Sequence, residues 1–373
     1  MSTYCLLLRV VRTPKRTETS LLLVGTRKGA FVFASSDGRR SWKASGPHFR
    51  GREIYHLVYD KRNKLLMASV NDGHWGPNVA RSSDLGKNWK ISNPPKYPKE
   101  GKDSVQRIWN ITPGAEVEPN VIYCGVEPAM LFRSDDAGEN WKINEALLNH
   151  ETRPKWQPGG GGLCMHTILV DERDPRNIHV GISSVGTMNS RDGGESWKFQ
   201  NKNVLADFSP DKHPEFGQCV HKIVRHRERP EVLYQQNHCG VFRSDDGGED
   251  WKDIRNNLPS RFGFPMAVDA NDPKRVYVAP LEGDFSRVPP DCKFAIWTSD
   301  NSGREWYPLS RGFPKPAYFE VLREGMATDN EDPGGVYVGT KTGQLFASRN
   351  HGNSWSLVSG VLPEVLSVTA SAL

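Results

Sequence analysis

Short segments in which apolar or β-branched residues alternate with polar ones recur along the whole chain. Residues 178–181, 275–278 and 336–338 are typical examples, and each follows a turn rich in Asp and Pro. An alternation with a period of two is typical of β-strands, and turns of this composition separate such strands. No segment shows a convincing helical period. The pattern therefore predicts an all-β protein built from many short strands.

One eight-residue motif, Ser-x-Asp-x-Gly-x-x-Trp, is repeated along the chain. Four copies match it fully, and three more are degenerate. Successive copies are separated by 47 to 56 residues, because the seven copies end at Trp42, Trp89, Trp141, Trp197, Trp251, Trp306 and Trp355. A fixed motif at a period of roughly 50 residues predicts a repeat architecture.

The residue types of the motif are suited to a tight corner between two strands. Its Ser and Asp oxygens can accept hydrogen bonds from turn N–H groups, and Asn301 and Asn350 can replace the Asp in two copies. The Gly supplies a positive φ, although Arg39 stands at this position in the first copy. The Trp offers a large apolar face. We therefore expect each motif to form a hairpin corner whose Trp packs between adjacent units.

The motif resembles the Asp box, or bacterial neuraminidase repeat, of the sialidase-like β-propeller superfamily, and the resemblance covers nearly the whole chain. It implies a seven-bladed β-propeller with four-stranded blades. It does not imply true sialidase activity, since no Phe-Arg-Ile-Pro-like segment is present and sialidases have six blades. Seven-bladed relatives include assembly factors and sorting receptors that only bind partners, and propellers host many unrelated activities.

The repeat also predicts how the chain is organised. We expect residues 1–17 to form an N-terminal tail and residues 18–373 to form a single propeller domain. Residues 20–26 match the second strand of the last repeat, so the first blade lacks its innermost strand. We predict that residues 364–369 supply this strand and close the ring, which removes the exposed sheet edges.

Composition narrows the classes of function. The net charge of +5 is a weak bias with both signs interspersed, which does not favour a nucleic-acid partner. No stretch approaches the ~20 apolar residues of a membrane span, and the N-terminus does not resemble a signal peptide. Six Cys without a CxxC pair favour reduced thiols in a cytoplasmic protein. We predict no nucleotide cofactor.

Antiparallel connectivity indicates which face of the propeller carries the site. If the strands of a blade are named A to D from axis to rim, the A–B turns and the C–D motifs lie on one face. The B–C and D–A connections lie on the other face, and they contain the long segments 144–163, 201–218, 283–294 and 307–321. Long irregular connections often carry function. We therefore expect the site around the central funnel, on the face opposite the motifs.

Histidines mark this region of the sequence. His166 and His221 occupy equivalent positions in two similar inner strands, and His56 lies in the corresponding strand of an earlier blade, offset by one residue. These three imidazoles, with His238 or a Glu as an optional further ligand, are candidate ligands of one divalent metal ion. The same groups could instead support metal-free acid–base chemistry, with a His as base, a Glu as acid and an Arg on a substrate carboxylate. A third interpretation is that they are only polar residues lining a wet channel.

The candidate residues complete the prediction. The candidate catalytic residues are His166, His221, Arg107, Glu127, Glu282, Arg323 and Glu324, and the candidate substrate-binding residues are His74, Trp75, Trp109, Asn237 and His238. We expect a glycosidase-like hydrolase or a lyase that acts on a small polar or carbohydrate-like substrate in the funnel. The alternative is a non-catalytic binding or assembly scaffold with a protein partner.

Overall fold

The computed structural model describes residues 18–373, so the predicted tail 1–17 lies outside the described residues. The chain forms seven four-stranded antiparallel sheets. The innermost strand of each blade contacts the innermost strand of the next blade, and these contacts form a closed ring. The predicted all-β, seven-bladed propeller is therefore confirmed.

The strands follow the blades in chain order. Blade 1 contains β1 (Ser20–Thr26), β2 (Gly29–Ser35), β3 (Lys43–His48) and the last strand, β28 (Val365–Ala372); blade 2 contains β4 (Glu53–Asp60), β5 (Leu65–Asp72), β6 (Gly76–Ser82) and β7 (Lys90–Ile91). Blade 3 contains β8 (Arg107–Pro113), β9 (Ile122–Glu127), β10 (Met130–Ser134) and β11 (Lys142–Ile143); blade 4 contains β12 (Met165–Val170), β13 (Ile178–Ile182), β14 (Gly186–Ser190) and β15 (Lys198–Phe199). Blade 5 contains β16 (Val220–His226), β17 (Arg229–Asn237), β18 (Gly240–Ser244) and β19 (Lys252–Asp253). Blade 6 contains β20 (Phe262–Val268), β21 (Val276–Leu281), β22 (Ile296–Ser299) and β23 (Tyr307–Leu309); blade 7 contains β24 (Met326–Thr328), β25 (Val336–Gly339), β26 (Leu345–Ser348) and β27 (Ser356–Ser359).

Helical structure is confined to the connections. In residues 18–373 it consists of one turn of α-helix, α1 (Glu145–Leu148), and two 3₁₀ turns, Arg153–Lys155 and Pro290–Cys292. Within residues 18–373, no helix has the length and apolarity needed to cross a membrane. The five cysteines of this part of the chain are all free thiols.

The first and last parts of the chain share blade 1. Strand β28 pairs antiparallel with β1, with Val24 opposite Val368 and Ser20 opposite Ala372. The predicted closure is confirmed, and the closing strand continues three residues beyond the predicted segment 364–369. Its apolar side chains pack against blade 7 and β1 in one buried cluster, so closing the ring also buries apolar surface.

Each repeated motif forms a corner between the third and fourth strands of a blade. In the blade 5 copy, the Ser244 hydroxyl donates to Asp246 Oδ1 over 2.7 Å and accepts from the Gly248 N–H over 2.8 Å. Gly248 has a φ of 94°, which favours glycine. Trp251 is 1% exposed, and its Nε1–H donates to the Gln200 carbonyl of the preceding blade over 2.9 Å. The Trp therefore connects adjacent units, as the sequence predicts.

The degenerate first copy shows how a departure from the motif is accommodated. Arg39 takes the glycine position with a φ of 64°. Its buried guanidinium forms an ion pair with Asp329 of blade 7 over 2.9 Å. This contact stabilises the junction between the first and last blades, and it offsets the strain of a left-handed non-glycine residue.

Six inner strands carry a β-bulge at the same place. The bulged residues are Leu366 in blade 1, Tyr55–His56 in blade 2, Trp109 in blade 3, His166 in blade 4, His221 in blade 5 and Phe264–Pro265 in blade 6. A bulge inserts one extra residue and re-aims the side chains next to it. In blade 2 the bulge spans two residues and His56 is the second of them, which accounts for its one-residue offset in the sequence comparison.

Candidate functional site

A cavity of about 450 Å³ lies where the inner strands meet the B–C and D–A connections; we call it the funnel cavity. Its lining comes from these connections and from the adjoining strand ends, and the C–D corners contribute none of it. The lining residues are Arg27, Tyr55, Arg107, Trp109, Glu127, Gly160–Gly162, Cys219, His221, His238, Phe262, Phe264, Asp284, Arg287, Leu322, Arg323, Lys341 and Glu364. The cavity therefore opens on the face opposite the motifs.

A chain of ion pairs forms the wall of the funnel cavity in blades 1 to 3. Arg27 bonds both Glu364 and Glu53, and Arg107 bonds both Glu53 and Glu127. Each of these guanidinium groups thus connects two carboxylates. The positive charges of Arg27 and Arg107 are balanced, because these two groups contact three carboxylates and share Glu53.

Arg323 has a different environment. Its guanidinium carbon lies 5.6 Å from the ring centres of both Trp109 and Phe264. Its Nε is buried without a hydrogen-bond partner, and no carboxylate of residues 18–373 lies within ion-pair distance of the group. Arg323 is therefore a cation beside two aromatic rings that lines the funnel cavity without a carboxylate partner among residues 18–373.

Glu127 and a run of glycines complete this side of the cavity. Glu127 Oε2 accepts from Trp109 Nε1 over 3.0 Å and from Arg107 over 3.2 Å. A Cβ added at Gly162 would lie 2.3 Å from Glu127 Oε1, and one at Gly161 would lie 2.9 Å from Arg323 Nη2. The glycines thus let the 144–163 connection approach both groups closely.

The three histidines predicted to bind one metal have different partners. His56 Nδ1 accepts from the Ile111 N–H over 3.3 Å, and burial lowers the pKa of His56 to about 4. His166 is fully buried, with Nε2 donating to the Val220 carbonyl over 3.1 Å and Nδ1 lying 2.9 Å from the Thr167 hydroxyl. Burial and the Arg323 charge hold the pKa of His166 well below its usual value. Both ring nitrogens of His166 are occupied, so the structure does not bring His56, His166 and His221 together as ligands.

The structure places other partners around His221. Its Nδ1 donates to the Gly263 carbonyl over 2.6 Å, which leaves Nε2 unprotonated and 3.6 Å from Cys219 Sγ. Ligand atoms of Cys219, His221 and His238 all lie within 4.8 Å of one another, and this is the one such group of three within residues 18–373. Burial raises the pKa of the Cys219 thiol, and the charge of Arg323 opposes that rise.

Seven of the sequence candidates, including His56 and His166, do not line the funnel cavity. Trp75 is 75% exposed and its ring packs on His74; Glu282 is exposed and accepts from Ser286. Asn237 is buried in its turn, where Oδ1 accepts from the Cys239 N–H over 3.2 Å. Glu324 is buried and forms an ion pair with Lys222. Of the other candidates, Arg107, Trp109, Glu127, His221, His238 and Arg323 line the cavity.

Sequence reasoning missed several residues that line the cavity. Cys219 could have been found, because it stands only two residues before His221 in the sequence. Tyr55 and Arg287 gave no comparable signal, since the first lies in a bulge and the second in an irregular loop. The ring centre of Tyr55 lies 3.9 Å from that of Trp109, which makes one aromatic wall.

No protein-family model matches the chain. The xyloglucanase Xgh74A of Acetivibrio thermocellus is 23% identical over 238 residues, which cover 54% of this chain and 26% of the xyloglucanase. The chain thus spans about a quarter of the length of the curated relatives it matches.

Solved structures share the propeller fold at low identity. An ancestral GH74 enzyme has a TM-score of 0.53 and 16% identity, over 81% of this chain and 38% of that enzyme. YCF48 bound to D1 peptide has a TM-score of 0.53 and 15% identity, over 89% of this chain and 93% of that chain. The likeness at these identities concerns the fold.

Proposed function

We propose that the protein is a glycosidase-like hydrolase that acts on a carbohydrate-like molecule carrying an acidic group, bound in the funnel cavity. The observation that carries the proposal is the combination of an aromatic wall, a free guanidinium and a fixed carboxylate in one cavity of about 450 Å³. A cavity of this size, with few convergent polar groups, is suited to a small molecule.

We infer that Tyr55 and the edge of the largely buried Trp109 give the ligand an apolar contact surface. Trp109 and Tyr55 adjoin, and the Trp109 indole is fixed because its Nε1–H donates to Glu127. Aromatic faces contribute large contact area at low conformational cost. The C–H faces of a sugar ring can pack on such a surface while its hydroxyl groups reach the polar rim.

Arg323 supplies the recognition of an acidic group. A guanidinium binds a carboxylate through two parallel hydrogen bonds, and such charge-assisted bonds are stronger than neutral ones. The other arginines of the cavity wall are engaged with Glu53, Glu127, Glu320 and Glu364. Arg323 is therefore the cation best placed to bind an acidic substituent of the substrate.

Two carboxyl groups on different blades can carry the hydrolytic chemistry. Glycoside hydrolysis uses one carboxyl group as proton donor and another as base or nucleophile. We assign the ionised role to Glu127, which Arg107 and Trp109 hold in place. The second carboxyl group of the proposed pair is Asp284, which lies on the blade 6 wall with Oδ2 3.8 Å from His238 Nε2.

The comparisons give independent support to the reaction class. Both the xyloglucanase Xgh74A and the ancestral GH74 enzyme are carbohydrate-active by name, and both share sequence or fold with this chain. Because each is much longer than the region it shares with this chain, their substrates are not carried over.

The test is turnover of a panel of neutral and uronic-acid-containing glycosides by the full chain. We expect release of sugar from an acidic member of the panel, and a loss of about 10²–10⁴-fold in kcat/KM for Glu127→Gln. Arg323→Ala should raise KM for the acidic substrate. Glu305→Gln, an exposed change on the motif face, is the matched control and should not alter turnover. Absence of turnover across the panel, or full activity in Glu127→Gln, would refute the proposal.

A second candidate function is peptide binding by a scaffold. It is favoured by the likeness to YCF48 bound to D1 peptide, which extends over most of both chains. A neighbouring cavity of about 730 Å³ also shares Glu127 with the funnel cavity, so the two make a longer continuous surface. Saturable peptide binding that Arg323→Ala weakens, with no glycoside turnover, would favour this function over the hydrolase.

A further inference from the structure

We propose that Cys219, His221 and His238 form a binding site for one Zn²⁺ ion in the wall of the funnel cavity; we call these residues the Cys–His–His cluster. The proposal rests on the geometry of these residues and not on the proposed hydrolase activity. It also replaces His56 and His166, two of the three ligands predicted from the sequence.

The local structure brings the three side chains together. Cys219 immediately precedes β16 and His221 is the bulged residue near the start of that strand, and this arrangement places Cys219 Sγ 3.6 Å from His221 Nε2. His238 lies in the two-residue turn between β17 and β18, and its N–H donates to the Cys219 carbonyl over 2.9 Å. The turn thus places the third ligand beside the first, and all three line the funnel cavity.

The distances fit a tetrahedral zinc ion. Zn–S bonds of about 2.3 Å and Zn–N bonds of about 2.0–2.1 Å, at tetrahedral angles, separate sulfur and nitrogen by about 3.6 Å. Cys219 Sγ lies 3.6 Å from His221 Nε2. Ligand atoms of all three residues lie within 4.8 Å of one another, so small side-chain rotations can bring the His238 nitrogen to a bonding position.

The surroundings of His221 are those of a metal ligand. Its Nδ1–H donates to the Gly263 carbonyl over 2.6 Å, which fixes the tautomer and directs the lone pair of Nε2 at Cys219. Metal-binding histidines commonly hold the distal N–H on a carbonyl or carboxylate in this way. The rings of Phe262 and Phe264 pack against His221, at 5.4 and 4.7 Å between ring centres. They limit the rotation of the imidazole and shield one side of the cluster from water.

The donor set selects the metal and leaves one position open. A thiolate with two imidazoles is typical of zinc sites, whereas Mg²⁺ and Ca²⁺ prefer oxygen ligands. The thiolate supplies a negative charge that partly offsets Arg323, which lines the same cavity. Three protein ligands leave the fourth tetrahedral position to water or substrate, as in catalytic zinc sites.

The experiment is metal titration of the full chain kept under a thiol-free reductant. We expect the wild type to bind one Zn²⁺ per chain. Co²⁺ in its place should give the near-ultraviolet absorption of a thiolate–cobalt bond. Cys219→Ala and His238→Ala should each weaken Zn²⁺ binding by more than tenfold, because loss of even an outer partner of a ligand typically costs about 10–100-fold.

Two controls separate this cluster from other sites. Cys239→Ala removes the thiol that follows His238 in the sequence. The sulfur of Cys239 contacts Asp207 outside the cluster, so this variant should bind Zn²⁺ like the wild type. His166→Gln removes a ligand of the site predicted from the sequence and should also bind normally. Zn²⁺ should raise the melting temperature of the wild type and leave that of Cys219→Ala unchanged.

Three results would overturn the proposal. One is failure of the reduced wild type to bind either Zn²⁺ or Co²⁺, including the case in which only Cu⁺ binds. Another is wild-type affinity in Cys219→Ala, and the third is loss of binding in His166→Gln with binding retained in His238→Ala.

Discussion

The buried ion pair between Lys222 and Glu324 allows a test of how the inner strands of the propeller are held together. Lys222 belongs to β16 of blade 5, and Glu324 precedes β24 of blade 7, so the pair bypasses blade 6. Lys222 Nζ lies 2.5 Å from Glu324 Oε1, and the two side chains are only 14% and 10% exposed. The backbone carbonyl of Glu324 also accepts from the Val368 N–H of the closing strand over 2.7 Å. We expect Glu324 to act in stability rather than in chemistry.

The magnitude follows from the burial of the pair. Removing one partner of a buried ion pair leaves an uncompensated charge and typically costs about 3–5 kcal/mol, whereas replacing both partners by apolar residues is often neutral. Lys222→Met and Glu324→Leu should therefore each lower the free energy of unfolding by ~3–5 kcal/mol. The double variant should lose much less than the sum of the two.

The assay is urea unfolding at neutral pH followed by tryptophan fluorescence. Lys90→Met removes one partner of an exposed pair with Glu139, at 2.7 Å and 71% and 42% exposure, and should cost at most about 1 kcal/mol. The reasoning fails if the Lys222 and Glu324 effects add to within about 0.5 kcal/mol, since contacting residues should couple. It also fails if either single variant costs no more than Lys90→Met.

Two further outcomes follow from buried side chains. Trp251→Ala should cost ~3–5 kcal/mol because the indole is 1% exposed, and Trp75→Ala should stay within about 0.5 kcal/mol because its ring is 75% exposed; equal shifts of the urea midpoint would contradict the inter-blade role of Trp251. Burial lowers the pKa of both His56 and His179 to about 4, below the unfolded value of about 6.5. Their contribution to stability is therefore complete above about pH 6.5 and is lost as the pH falls towards about 4. Thermal melts from pH 8 to pH 4 should show this loss, and a smaller one in His179→Gln; a stability that is constant or rises in that window would exclude the assignment.

The sequence predicted the repeat more fully than the site, for a physical reason. The motif residues act through local turn chemistry, so their identity and spacing located every C–D corner. Antiparallel connectivity then indicated the face that carries the cavity. The strand that closes the ring could be predicted because the first repeat lacked its counterpart. Alternation along a strand, in contrast, does not reveal a bulge, and bulges set the direction of the side chains near the axis.

His166 and His221 show this limit directly. They stand in similar segments and occupy equivalent bulges. Nevertheless, His166 donates from Nε2 to the next blade, while His221 donates from Nδ1. The difference leaves a free nitrogen beside Cys219 in one blade and none in the other. The absence of a carboxylate partner for Arg323 could not be predicted either, because it depends on every residue around the guanidinium group.

The closing strand has a consequence for the topology of the chain. The N–H of Leu373 donates to the Thr19 carbonyl over 2.9 Å, so the two ends of the ring lie side by side in one sheet. Residues 18–373 are in effect a circle that is cut within blade 1. A circular permutant that joins residue 373 to residue 18 and opens the exposed loop at residues 210–213 would keep every strand pair. The position of the cut determines only which blade is assembled from both ends of the chain.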